Sequence, residues 1–201
     1  MSRVRTRPTR DDTRDKLFDA AARVFEDQGI GGASIEAIAA AAGFTRGAFY
    51  SNFASKDELI IAMLEDHVEQ SIQRNLELLA LHQNPADFIE AFGEMRRTRQ
   101  DPLGRSPLLH MEMILFVARA EKRRPELAKR LRARRAITTK IVETVSKNRK
   151  ALVDSAWTAA ILLALEDGFR LHRLIDPETT PSDSFVRALG DLQRTIGGSS
   201  S

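Results

Sequence analysis

The chain has 201 residues, of which 42% are hydrophobic and 29% are charged, a composition typical of globular domains with a buried core. It contains no cysteine, which excludes disulfide bonds, thiolate nucleophiles and cysteine-based zinc sites. No apolar run reaches the ~18 residues of a membrane helix, and the first residues are charged, unlike those of a signal peptide. We therefore expect a cytoplasmic protein without a membrane partner.

The net charge of +3 conceals two basic segments. Residues 1–10 contain four arginines and no acidic residue, and residues 121–150 contain 12 basic and 3 acidic residues. We interpret the internal segment as the solvated face of a helix. We interpret the N-terminal segment, which includes Arg3, Arg5 and Arg7, as a flexible arm that adds affinity for a polyanion.

Apolar residues recur at intervals of three and four, and no segment alternates with the period of a strand. We therefore predict an all-α fold of about nine helices. The first helix is ended by Gly29. The second begins at an N-cap, Ser34, and ends at Gly43. The third begins at an N-cap, Thr45, and ends near Phe53.

Six longer helices are predicted over residues 55–79, 85–95, 108–117, 125–145, 151–175 and 182–196, with a loop at 101–104. Ser55 and Glu58 form a capping box for the first of these. The buried seam of the 125–145 helix is predicted as Leu127, Leu131, Thr138, Val142 and Val145, with its arginines, including Arg134, on other faces. We place domain boundaries at 1–10 (arm), 11–54, 55–196 and 197–201 (flexible tail).

The second and third helices have the pattern of a helix-turn-helix, two short helices joined by a tight glycine turn. Gly43 can adopt the positive φ that the turn requires, while Ile38 and Phe49 face inward. The third helix then presents a polar outer surface. This surface consists of Thr45, Arg46, Gly47, Ala48, Tyr50, Ser51 and Asn52.

Several of these side chains suit DNA. Arg46 can form a bidentate contact with guanine, and the Ala48 methyl group can meet a thymine methyl group. Gly47 permits close approach of the backbone. Ser34 and Lys56 lie at helix N-termini, which favour anions. Hydroxyl and amide groups that can bond phosphates are supplied by Thr45, Tyr50, Ser51 and Asn52. The pattern alone fits equally well an αα corner whose polar residues bind nothing.

Residues 13–64 carry a specific family resemblance. The matching positions are Ala20-Ala21, Phe25, Gly29, Ser34-Ile35, Ile38-Ala39, Ala42-Gly43, Thr45-Arg46-Gly47-Ala48-Phe49-Tyr50, Phe53 and Lys56-Asp57-Glu58-Leu59. In this order they resemble the N-terminal DNA-binding domain of the TetR family of transcriptional regulators. Ser51 and Asn52 depart from it, since many members have an aromatic residue and a histidine there.

The resemblance implies a homodimer that places two recognition helices in successive major grooves of a palindromic DNA operator. It also implies a C-terminal helical domain that binds a small inducer. Residues 164–169 and 174–177 are similar to betaine-regulator-type members of the family. We expect a ligand-responsive repressor released by its inducer. The alternatives are a structural DNA-binding protein that needs no ligand, or an enzyme, which the lack of cysteine and metal motifs disfavours.

The 151–175 helix is apolar on most faces, as expected for a central helix or one shared between subunits. The predicted dimer interface comprises Trp157, Ile161, Leu165, Gly168, His172, Phe185, Leu189 and Leu192. Methionine and aromatic residues supply an adaptable lining for an apolar or amphipathic effector. The predicted pocket comprises Phe88, Phe92, Met95, His110, Met111, Met113, Phe116 and Trp157. We predict no metal site and no cofactor.

Overall fold

The computed structural model describes residues 10–82, 84–98, 102–122, 124–145 and 154–197. Within these residues the chain forms ten helices and no strand. They are α1 (Arg10–Gly32), α2 (Ile35–Ala41), α3 (Arg46–Tyr50), α4 (Lys56–Leu81), α5 (Pro85–Arg97), α6 (Pro102–Arg105), α7 (Pro107–Arg119), α8 (Arg124–Val145), α9 (Ser155–Ile175) and α10 (Ser184–Gly197). The all-α prediction is confirmed, and α6 is a single turn where a loop was predicted.

Residues 1–9 of the predicted arm, with Arg3, Arg5 and Arg7, lie outside the described residues, as do residues 151–153 and 198–201. The predicted arm boundary at residue 10 is wrong by one residue, because Arg10 is the first residue of α1. Among the helices that are described, none has both the length and the apolar character needed to cross a membrane.

The predicted ends of α1 and α4 follow from local chemistry. Gly29 has φ 71° and ψ 158°, outside the helical region, so the main part of α1 ends there and one more turn reaches Gly32. At α4, the Ser55 hydroxyl oxygen accepts a hydrogen bond from the Glu58 amide at 3.1 Å. The Glu58 carboxylate in turn accepts one from the Ala54 amide at 2.6 Å. The predicted capping box therefore closes one residue further upstream than its usual form.

The described chain divides into two compact units, and α4 contributes residues to both. The first unit contains the residues up to Glu65 and those from Pro102 to Glu121. Because α6 and α7 pack against α1, this unit is larger than the predicted domain of residues 11–54, which stays a prediction. Its fully buried side chains include Leu17, Phe25, Ile38, Phe49, Leu59, Ile60, Leu64, Leu109, Met113 and Val117.

The second unit contains the rest of α4 together with α5, α8, α9 and α10. Leu79, Phe88 and Ile141 form a buried cluster within it. Gly93 brings α5 close to α10, since a Cβ atom at this position would lie 3.1 Å from a methyl carbon of Val186. A Cβ atom at position 93 would therefore require the Val186 side chain to shift by a few tenths of an ångström.

A buried ion cluster lies at the centre of the second unit. Glu166 of α9 accepts hydrogen bonds from Arg96 of α5 at 2.5 Å, from Arg134 of α8 at 2.6 Å and from Arg170 of α9 at 3.1 Å. Burial by itself raises the pKa of Glu166, but the charges of the three arginines outweigh it and hold this pKa far below its ordinary value. The cluster therefore joins three helices through one ionised carboxylate.

The predicted seam of α8 is wrong in two positions. Leu131 is 42% exposed, whereas Arg134, predicted on another face, points inward to Glu166 and has a side chain only 14% exposed. Leu127 and Ile141 are buried. The buried face of α8 is thus rotated, because a carboxylate from α9 makes an inward arginine favourable.

Candidate nucleic-acid interface

A tight turn joins α2 to α3. Gly43 has φ 75°, and its amide donates to the Ala40 carbonyl at 3.0 Å. The Phe44 amide donates to the Ala39 carbonyl at 2.8 Å. These two bonds form a Schellman motif, which satisfies the last carbonyls of α2 and requires the left-handed conformation that glycine adopts. The predicted helix-turn-helix geometry is present.

Both short helices begin at a side-chain cap. The Ser34 hydroxyl oxygen accepts from the Ala37 amide at 3.0 Å, and the Thr45 hydroxyl oxygen accepts from the Ala48 amide at 3.2 Å. In each case the oxygen acts as the acceptor. The hydroxyl hydrogen therefore stays available to donate to a phosphate oxygen.

Phe49 fixes the orientation of α3. Its side chain is fully buried, and its ring lies 5.8 Å from that of Phe53. This contact turns the opposite side of α3 to the surface. Thr45, Arg46, Gly47, Tyr50 and Ser51 are exposed, while Ala48 and Asn52 are half-buried.

Arg46 is held by two neighbours. Its guanidinium forms an ion pair with Glu36 of α2 at 2.8 Å and donates to the Tyr50 hydroxyl at 3.4 Å. The hydrogen bond to Tyr50, followed by the charge of Glu36, raises the pKa of Arg46 above its ordinary value. Sequence reasoning missed Glu36. The signal for it was its position as a carboxylate in the first turn of α2, the helix that precedes α3.

Two other predicted contact residues bond to their own helix. The Ser51 hydroxyl donates to the Gly47 carbonyl at 2.9 Å, and the Asn52 amide donates to the Ala48 carbonyl at 2.9 Å. Serine has one hydroxyl hydrogen, so Ser51 must leave Gly47 to reach a phosphate, whereas Asn52 retains a second N–H. Their predicted phosphate contacts stay predictions.

Lys56 lies at the predicted place, in the first turn of α4, but its ammonium group points to the end of α1. It donates to the carbonyl oxygens of Ile30 at 2.7 Å and Ala33 at 2.8 Å. One of its three N–H donors is left for a phosphate. Lys56 therefore has a structural function besides the predicted phosphate contact, which stays untested.

Seven of the predicted dimer-interface residues are exposed or half-buried, and the eighth, Phe185, is buried. Along α9, Trp157 is 59%, Ile161 40% and Leu165 37% exposed, and Leu192 of α10 is 42% exposed. His172 is exposed, while Gly168 and Leu189 are half-buried. Phe185 differs from these, since it is buried inside the second unit and its ring lies 6.3 Å from that of Phe92.

The predicted pocket residues belong to both compact units. In the second unit, the rings of Phe88 and Phe92 stack with centroids 6.1 Å apart, Met95 is half-buried and Trp157 is exposed. In the first unit, α7 carries the remaining four. Of these, His110 and Met113 are buried, and Met111 and Phe116 are half-buried. Trp157 thus fits the exposed stripe of α9 better than an interior lining.

An all-α fold with a capped helix-turn-helix and an exposed polar third helix is typical of DNA-binding regulators, and comparison with known proteins assigns the chain to this class. The family model "Bacterial regulatory proteins, tetR family" matches residues 17–63, and "Tetracyclin repressor-like, C-terminal domain" matches residues 83–195. The second match alone spans more than half of the chain. The chain belongs to the TetR family of bacterial regulatory proteins, and it is a DNA-binding transcriptional regulator rather than an enzyme, as predicted.

Individual relatives match nearly the whole chain, in sequence or in fold. The HTH-type transcriptional regulator TtgR of Pseudomonas putida is 26% identical over an alignment of 202 positions, which covers 96% of this chain and 91% of TtgR. Among solved structures, reduced Escherichia coli NemR has a TM-score of 0.70 at 24% identity, covering 92% of this chain and 97% of that one. A transcriptional regulator from Saccharomonospora viridis in complex with choline has a TM-score of 0.69 at 19% identity, covering 90% and 95%. The predicted similarity to betaine-regulator-type members stays a prediction.

Proposed function

We propose that this regulator binds a palindromic DNA operator as a homodimer, represses transcription from it in the cytoplasm, and is released by a small-molecule effector. The observation that carries the proposal is the exposed side of α3. There Arg46, Gly47 and Tyr50 lie uncovered on a helix that the buried Phe49 holds in place. A positioned arginine beside a glycine suits a guanine edge in the major groove.

The dimer is supported by the exposed apolar stripe of α9. Trp157, Ile161 and Leu165 follow one another at intervals of four residues, and each is more than a third exposed. A contiguous apolar stripe of this kind marks an interaction surface. A twofold contact between copies of α9 and α10 would cover it, and the resulting dimer would carry two copies of α3.

The effector is proposed to be apolar or amphipathic. The side chains assigned to its pocket are mainly aromatic residues and methionines, which adapt to varied ligand shapes. His110 is the polar group among them. Release requires that the effector bind the DNA-free form more tightly, and DNA must then weaken effector binding by the same factor. We propose α4, one continuous helix from Lys56 to Leu81, as the element that transmits the change.

Selection of bound duplexes from a random DNA pool tests the proposal. The full chain should enrich one motif present as two inverted copies, with centres about 10–10.5 base pairs or a multiple of this apart. A ligand-independent structural DNA-binding protein would instead enrich no palindrome. A single unrepeated motif bound with full affinity would contradict the dimer.

A further inference from the structure

Glu36 places a negative charge on the surface proposed to face DNA. Its carboxylate lies 2.8 Å from Nη1 of Arg46, and the two side chains are 55% and 63% exposed. Because DNA binding depends on attraction to phosphates, an acidic residue here weakens binding to duplexes of every sequence. Because Glu36 lies next to Arg46, the candidate for base reading, this loss of affinity can differ between DNA sequences.

Glu36 and Tyr50 together fix the position of the Arg46 guanidinium. Nη1 faces Glu36, Nη2 donates to the Tyr50 hydroxyl at 3.4 Å, and the guanidinium carbon lies 5.5 Å from the centroid of the Tyr50 ring. A guanidinium has five N–H donors, so three remain when two are engaged. A bidentate contact with guanine uses two donors and can form while the pair with Glu36 persists.

We propose that Glu36 is a specificity-determining residue that acts through Arg46. On an operator, Arg46 reads guanine with its remaining donors and keeps its partner. On other DNA, Arg46 gains no guanine contact, while the Glu36 carboxylate competes with phosphates for the guanidinium and repels the backbone. Glu36 thus weakens non-operator binding more than operator binding. This inference rests on the base-reading role proposed for Arg46.

The variant Glu36→Gln removes the charge and keeps the size of the side chain. Its affinity is measured for two duplexes of equal length and composition, the one selected by the wild-type protein and a scrambled one. We expect affinity for the scrambled duplex to rise about two- to fivefold, the size of an exposed ion-pair effect, and operator affinity to rise less or fall. The affinity ratio, operator affinity divided by affinity for the scrambled duplex, therefore decreases.

The matched control is Glu26→Gln, which removes the same charge from an exposed position on α1. It should leave the affinity ratio at the wild-type value. An equal decrease in this control would attribute the effect to net charge and overturn the proposal. An unchanged ratio in Glu36→Gln would overturn it as well.

The Arg46→Ala background separates this proposal from the proposed function. With Arg46 absent, adding Glu36→Gln should no longer change the ratio, although affinity for both duplexes rises. A ratio that still changes would mean that Glu36 reads a base itself, which contradicts action through Arg46. If Arg46→Ala alone leaves the ratio unchanged, the base-reading role of Arg46 fails and this inference fails with it. If Arg46→Ala lowers the ratio and Glu36→Gln does not, only this inference fails.

Discussion

The ammonium nitrogen of Lys56 lies 2.7 Å from the carbonyl oxygen of Ile30. It joins the first turn of α4 to the last turn of α1, where the carbonyl groups have no partner within the helix. A cation also suits the negative end of the α1 dipole. The start of α4 is therefore tied to the segment that leads into the helix-turn-helix, and a displacement of α4 would act on that segment through this bond.

Lys56→Ala should destabilise the protein and weaken DNA binding. The loss of a charged donor that serves two carbonyl groups should lower the free energy of unfolding by about 1.5–3 kcal/mol. If the third N–H contacts phosphate, binding to all sequences weakens and the salt dependence of affinity falls by about one unit of slope. Urea denaturation and DNA titration at several salt concentrations measure the two effects. Lys16→Ala, at an exposed position on α1, is the control, and equal stability of the two variants would refute the structural role.

Glu166→Gln should strongly destabilise the second unit at neutral pH. Removing the charge leaves three arginines facing a neutral group in the interior, and breaking a buried ion pair typically costs about 3–5 kcal/mol. Exposed Glu143 on α8 provides the control, since Glu143→Gln should change the free energy of unfolding by less than about 0.5 kcal/mol. Urea denaturation at fixed protomer concentration measures both.

The effect of Glu166 should depend on pH in a defined direction. The folded pKa lies far below the ordinary value, so the unfolded chain binds the proton first as the pH falls. The stability contributed by Glu166 is therefore complete above about pH 4.3 and is lost below it. The difference between wild type and Glu166→Gln should shrink by up to about 1.4 kcal/mol per pH unit below pH 4. A difference that stays constant down to pH 3 would contradict the ion cluster.

The helices were largely predictable from sequence, whereas the ion cluster was not. Apolar spacing and the caps at Ser34 and Thr45 are local signals, so they locate helices without knowledge of packing. Arg134 and Glu166 are 32 residues apart in the chain, and periodicity assigns an arginine to the solvent side by default. The bond from Lys56 to Ile30 likewise exists only once the chain has folded. Local signals therefore located the helices, including α3, but missed the side-chain contacts between helices, Arg134 with Glu166 and Lys56 with Ile30.

Ile161→Glu should weaken the proposed dimer. It places a charge in the middle of the exposed apolar stripe of α9, and twofold symmetry would bring two such charges into one interface. Loss of a central interface side chain typically costs ~2 kcal/mol or more, so the dimer dissociation constant should rise at least about 30-fold. Leu131→Glu on α8 is the control, since Leu131 is 42% exposed and Ile161 is 40% exposed. Light scattering over a dilution series measures the dimer dissociation constant of each variant, and an unchanged constant in Ile161→Glu would contradict the interface.

Phe92→Leu should impair the response to an effector more than it impairs operator binding. Phe92 is half-buried and stacks on Phe88, and leucine preserves more of the packing than alanine, whose cost is about 3–5 kcal/mol at a buried phenylalanine. Compounds are first selected from an apolar and amphipathic library by thermal stabilisation of the wild-type protein. Operator affinity is then measured with and without each compound. A response equal to that of the wild type would show that Phe92 does not line the pocket. The control is Leu81→Ala, at an exposed position.

Base reading by α3 is tested most directly by comparing the duplexes that the wild-type protein and Arg46→Ala select from one random pool. We expect the wild-type motif to contain a guanine at symmetric positions of its two half-sites. Arg46→Ala should lose the preference at those positions alone, with a loss of roughly 1–3 kcal/mol per contact. Lys56→Ala should select the wild-type motif with lower affinity. An Arg46→Ala motif identical to that of the wild type would contradict base reading by Arg46.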